Sequence, residues 1–144
     1  MSETRFMIID DDPGNNMLCE ILIKKTIGEA DIQTFTEPAV AVDYIRKEYS
    51  NGSAVPTVIL LDINMPVMTG WDVLEKFKTL DESIKHKFNI YLVSSSIDQR
   101  DKERAKENPI VVDYIEKPLT AEVLRKIADE NQASSFISHA NNNH

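Results

Sequence analysis

The chain of 144 residues holds one cysteine, Cys19, and only four glycines. A single cysteine excludes a disulfide framework and a cysteine metal cluster, and Cys19 lies in an apolar helical pattern that suits packing. No apolar run approaches the roughly 20 residues of a membrane span. The opening MSETRF passes directly into a strand pattern, without the apolar region of a secretory signal, so a cytoplasmic location is expected. Basic residues are also short: 16 Lys and Arg against 24 Asp and Glu leave a formal net charge of −8. That balance argues against nucleic acid, which requires a basic footprint, and against an anionic membrane surface. There are no internal repeats and no domain linker.

What remains is the composition of an ordinary globular domain, 42% hydrophobic and 28% charged, long enough to bury a core without staples. Five short apolar segments read as strands, at residues 6–9, 32–35, 57–61, 88–93 and 111–115. Helical patterns alternate with them. The first begins at Pro13 with Asp12 as its cap, carries Met17, Leu18, Ile21 and Leu22, and ends at Gly28. The second, with Ala41, Tyr44, Ile45 and Tyr49 near one face, ends at Asn51-Gly52. The third turns Leu74 and Phe77 inward. The fourth, 98–107, has Ala105 as its sole apolar residue, so it needs support from pairs such as Asp98 with Lys102. The last is capped by Thr120 and presents Ala121, Leu124, Ile127 and Ala128. A domain over 1–130 and a polar, mobile tail over 131–144 are expected. Five strands alternating with five helices predict an α/β, doubly wound parallel sheet of flavodoxin-like order 2-1-3-4-5.

The stretch that organises the chain is PTVILLDINMPVMTG, residues 56–70. Its continuous apolar run is the pattern of a strand buried on both faces, and it stops at Asp62. In the expected topology the ligand crevice lies at the carboxyl ends of strands one and three. Asp10 and Asp11 end the first strand, Asp62 the third, Ser94 the fourth and Lys117 the fifth. Three carboxylates sharing a crevice repel one another by up to about 4 kcal/mol per pair, so the site calls for a cation. Oxygen ligands without Cys or His favour Mg²⁺, or Mn²⁺. A hard cation beside a carboxylate, a hydroxyl and a lysine is an arrangement for phosphoryl transfer, with Asp62 as nucleophile and Lys117 and Ser94 neutralising phosphoryl oxygens.

Four motifs, IIDDDP (8–13), LLDINMPVMTG (60–70), LVSSS (92–96) and YIEKP (114–118), resemble the receiver domain of two-component response regulators over about residues 4–130. The resemblance implies that Asp10 and Asp11 hold the metal, that Asp62 is the phospho-acceptor, and that the Asn64 backbone carbonyl completes the metal shell. It makes Ser94 the switch hydroxyl, with Ser95 the alternative by a one-residue shift in register. Lys117 is then the phosphate-pairing lysine and Tyr114 the aromatic that moves with the switch. It implies a cis Lys117-Pro118 bond, a phosphohistidine donor on a histidine kinase or histidine phosphotransfer protein, and slow hydrolysis afterwards. The chain departs from the pattern in using Ser rather than the commoner Thr, and in Asn108-Pro109-Ile110 before the fifth strand. No output domain follows the last helix, so a single-domain regulator acting on an unknown downstream protein is expected rather than an enzyme.

The competing enzyme reading is a haloacid-dehalogenase-like phosphohydrolase with Asp10 as nucleophile and Asp10-Asp11-Asp12 as its Asp-x-Asp signature. It leaves Asp62 without a role and lacks an acidic pair after Lys117. A flavin site lacks its phosphate loop, and an unphosphorylated binding module would not need the full acid, hydroxyl and lysine set. The polar fourth helix is the element most easily moved, so the output surface is expected around Arg100, Arg104, Tyr114 and Glu116.

Overall fold

A computed structural model describes residues 4–50, 55–96 and 98–142, with side chains as far as Asn131. Asn51-Gly52, expected to end the second helix, lies outside the described residues. Five strands, β1 (Arg5–Ile9), β2 (Asp31–Phe35), β3 (Thr57–Asp62), β4 (Phe88–Ser94) and β5 (Val111–Glu116), form one parallel sheet in the order β2-β1-β3-β4-β5. The helices are α1 (Pro13–Ile27), α2 (Pro38–Glu48), α3 (Gly70–Lys78), α4 (Glu82–Lys85), α5 (Gln99–Glu107) and α6 (Ala121–Asn142). Five are of ordinary length; α4 is a single extra turn, too short to announce itself by periodicity.

All six residues of β3 are buried, because helices cover both faces of the sheet. Successive side chains alternate between the faces. Met7, Ile9, Ile59, Leu61, Ile90 and Leu92 meet Ala41 and Ile45 of α2, Leu74 and Phe77 of α3 and Ala105 of α5. Phe6, Ile8, Val58, Leu60, Tyr91 and Val93 meet Cys19 and Ile23 of α1 and Leu124 and Ile127 of α6.

Two helices differ from the sequence reading. In α1 the buried stripe is Asn16, Cys19 and Ile23, whereas Met17, Leu18 and Ile21 are 64%, 67% and 54% exposed. The start of the helix sets this phase. Asp12 caps it by accepting from the backbone of Gly14 and Asn15, and the Asn16 amide donates to the backbone carbonyls of Asp10 (3.0 Å) and Phe35 (3.4 Å). With Asn16 turned to the sheet, Met17 must turn away. The last helix runs on to Asn142, past the point where composition places the start of the tail. Asn131 is buried, donating to the Tyr91 hydroxyl (3.2 Å) and accepting from Asn89 (2.6 Å).

The loop after β3 is held close to the site. The Gly70 amide donates to the Ile63 carbonyl at 2.9 Å. A Cβ at Gly70 would lie 2.8 Å from the Asp62 carbonyl oxygen and 2.9 Å from Ile63 Cα, so only glycine fits there. Thr69 and Asp72 close a reciprocal capping box that starts α3 immediately afterwards.

Candidate functional site

The parallel register sets the acids side by side. Ile9 pairs with Leu61 and Asp62 with Val93, so Asp10, Asp11 and Asp62 emerge together at the carboxyl edge of adjacent strands. Asp10 and Asp62 are 3% and 5% exposed, while Asp11 faces solvent. Each of the three offers a carboxylate oxygen within 4.8 Å of the others. Lys117 reaches across from the end of β5, its ammonium 2.8 Å from Asp10 Oδ2 and 3.6 Å from Asp62 Oδ1. The Lys117-Pro118 bond is cis.

Burial drives the Asp62 carboxyl above its ordinary pKa, and the neighbouring Asp10 charge adds to the effect against the pull of Lys117. For Lys117, burial works to lower the pKa, but the hydrogen bond and charge of Asp10 outweigh it and the ammonium is held more firmly than usual. The donor set is hard, anionic and all oxygen, which fits Mg²⁺ and gives no purchase to a softer metal.

Behind the acids lies the hydroxyl. Ser94 is buried at the end of β4 while Ser95 is exposed. The Ser94 Oγ accepts from the Asn64 amide (3.2 Å) and donates to the Ser96 carbonyl (2.8 Å). The Tyr114 hydroxyl donates to that same Ser96 carbonyl at 3.2 Å. Two side chains expected to move together thus share one acceptor. Asn64, expected to act through its carbonyl, also donates its backbone N–H to Asp62 Oδ1 at 3.2 Å.

Some contacts were not legible beforehand. Asn15 donates to Asp10 Oδ2 at 2.7 Å, and Asn16 holds the Asp10 backbone as described. The available signal was a pair of asparagines, weak helix formers, in the first turn of a helix that follows the acids. Asp98 serves as the N-cap of α5, accepting from the Arg100 amide at 2.9 Å. The Arg104 guanidinium lies 4.2 Å over the ring of Trp71, so it faces α3. Asp12, the second acid of the phosphohydrolase signature, is occupied in capping α1.

A family model described as the response regulator receiver domain matches residues 6–129. The chain belongs to that family. The solved two-component response regulator from Cytophaga hutchinsonii is similar at 32% identity and TM-score 0.81, covering 90% of this chain and 97% of that one. A response regulator receiver protein from Dyadobacter fermentans matches at 28% identity and TM-score 0.80, covering 88% and 96%. Sporulation initiation phosphotransferase F of Bacillus subtilis is 30% identical over 87 residues, 59% of this chain and 62% of that protein, less than two thirds of its length. Receiver domains are signalling modules of phosphorelays, so the phosphohydrolase reading is set aside. Among the described residues, no helix of this receiver domain is long and apolar enough to cross a membrane.

Proposed function

We propose that this receiver domain accepts a phosphoryl group on Asp62 from a phosphohistidine carried by a histidine kinase or a histidine phosphotransfer protein, in a Mg²⁺-dependent reaction. The observation that carries the reading is the meeting of three carboxylate oxygens within 4.8 Å of one another, with the Lys117 ammonium between Asp10 and Asp62. Asp10, Asp11, Asp62 and the Asn64 carbonyl would hold Mg²⁺, which when bound supplies positive charge to the phosphoryl oxygens. An Asp62 carboxylate oxygen forms the new bond to phosphorus as the bond from phosphorus to the histidine nitrogen breaks, and the imidazole leaves. Lys117 has its nearer contact to Asp10 and exchanges it for a phosphoryl oxygen. Water later hydrolyses the acyl phosphate, slowly.

The donor meets an apolar surface. Among the described residues Met17, Leu18 and Ile21 stand exposed on α1, the helix that follows Asp10 and Asp11 directly, and adjacent exposed apolar side chains of this kind suit a docking site.

The signal leaves through the shared carbonyl. A phosphoryl group brings about two negative charges and three acceptor oxygens within reach of Ser94. Ser94 turns its hydroxyl to one of those oxygens and lets go of the Ser96 carbonyl, which removes half of the pairing that positions Tyr114. Helix α5, anchored by buried Ala105 and by Arg104 over Trp71, shifts at little cost. The output surface is α5, β5 and α6 around Arg100, Tyr114 and Glu116, with Arg104 joining it when released from Trp71. The active arrangement pre-exists as a minor population that phosphorylation selects.

Intact-protein mass spectrometry after incubation with phosphoramidate tests the reaction. Mass gain of one phosphoryl group is expected with Mg²⁺, and none with chelator or in Asp62→Asn. Gain that ignores both changes would refute the proposal.

A further inference from the structure

We infer that Asn15 is a positioning residue for Asp10, and that its side-chain amide sets the affinity of the acidic crevice for Mg²⁺. The inference rests on the reading of that crevice as the metal-dependent phospho-acceptor site, and it concerns a residue that none of the four motif roles includes.

The Asp10 carboxylate accepts three hydrogen bonds. Oδ1 accepts the Asp12 backbone N–H at 2.9 Å, and Oδ2 accepts two donors, Asn15 Nδ2 at 2.7 Å and Lys117 Nζ at 2.8 Å. A carboxylate offers about four lone-pair positions, so a cation entering beside these three donors displaces one of them or takes the last place. Lys117 is the donor that goes. It carries the same sign of charge as the incoming ion, and it has a second carboxylate, Asp62, 3.6 Å away.

Asn15 has neither reason to leave. Its amide is neutral, and its other contact is the Cys19 sulfur at 3.8 Å, a weak acceptor. Its backbone is fixed in the first turn of α1, where the Asp12 cap accepts its N–H at 3.3 Å. The next residue, Asn16, is 4% exposed and ties the Asp10 carbonyl to the same turn. Side chain and backbone of Asp10 are therefore both held from α1, by consecutive residues. When Lys117 withdraws, the Asn15 amide is the side-chain donor that keeps the Asp10 carboxylate from rotating out of the crevice. Outer hydrogen bonds to a ligating carboxylate commonly govern metal affinity by about 10–100-fold.

Calorimetric titration of Mg²⁺ into the unphosphorylated protein tests this on wild type, Asn15→Ala, Asn15→Leu and Asn15→Gln. The Ala and Leu variants are expected to bind about tenfold more weakly. Asn15→Gln, which keeps an amide donor, is expected to recover part of the loss. Thermal unfolding in chelator serves as the structural readout: all four proteins are expected to unfold cooperatively, the Ala and Leu variants somewhat lower because the buried Asp10 carboxylate loses a donor, so that each affinity is read on folded protein. Mg²⁺ affinity within about twofold of wild type in the Ala and Leu variants would overturn the role of Asn15 and leave the site reading intact. Tighter binding would overturn it too, by making Asn15 a competitor of the ion. Failure of the wild-type protein to bind Mg²⁺ would overturn the site reading and this inference with it.

Discussion

Replacing Asp62 by Asn should stabilise the metal-free protein while abolishing phosphorylation. Asp10 and Asp62 present oxygens within 4.8 Å of each other. At an effective dielectric near 20, that pair repels by about 3.5 kcal/mol or more. Lys117, 3.6 Å from Asp62, returns about 4.6 kcal/mol on the same scale. The two nearly cancel, and Lys117 is closer still to Asp10. What remains is the repulsion from solvated Asp11, about 1 kcal/mol, together with the cost of burying the charge of Asp62. The net gain on removing that charge is about 1–2 kcal/mol, since Asn still accepts the Asn64 N–H. Urea unfolding in chelator should then show the midpoint of the variant higher by roughly 0.5–1 M, at a slope near 2 kcal/mol/M. Adding Mg²⁺ at ten times its Kd should raise the wild-type stability by about 1.4 kcal/mol and the variant by less. A variant clearly less stable than wild type in chelator would refute the reasoning, because the three carboxylates would then not face one another.

Lys117→Met should act in the opposite direction, lowering metal-free stability by roughly 2–4 kcal/mol in the same assay, because it leaves two buried carboxylates uncompensated. Gly70→Ala should destabilise by about 1–3 kcal/mol whether or not metal is present, since the new Cβ meets backbone that cannot yield; an unchanged urea midpoint would contradict the close approach. Burial, aided by the charge of Glu130, pushes the Tyr91 hydroxyl up to about 12. The stability tied to neutral Tyr91 is thus complete below the ordinary tyrosine value near 10 and lost as pH rises from there through the folded value. In an absorbance titration, the step missing from Tyr91→Phe should be the last one, and its loss from the ordinary range would be inconsistent with that burial. Trp71 is the single tryptophan, so its emission should change when beryllofluoride moves α5 and Arg104, and the change should be absent in Arg104→Ala.

The sheet order and the site were legible because both are written at strand ends. The run 58–61 has no polar residue facing either side, the pattern of a strand covered on both faces, and Asp62 stops it abruptly. The same punctuation marks Asp10, Ser94 and Lys117. The choice between Ser94 and Ser95 needed the structure, because alternation turns successive side chains to opposite sides and a run of three serines hides the register. The phase of α1 was not legible for a related reason. Met17, Leu18 and Ile21 make as good an apolar stripe as Cys19 and Ile23. Two asparagines bonding back to Asp10, just past β1, one of them also to Phe35 of β2, select between them, and such a tertiary contact leaves no periodicity. Asn131 is a similar case: a polar residue in a polar stretch, buried because Asn89 and Tyr91 satisfy its amide.

The most direct test is to locate the phosphoryl group. The protein should be phosphorylated with phosphoramidate and Mg²⁺, the acyl phosphate reduced with borohydride, and the modified residue identified by peptide mass spectrometry. Modification at Asp62 is the expected result. Modification at Asp10, with Asp62 untouched, would contradict the assignment of Asp62 as acceptor and return Asp10 to the role of nucleophile.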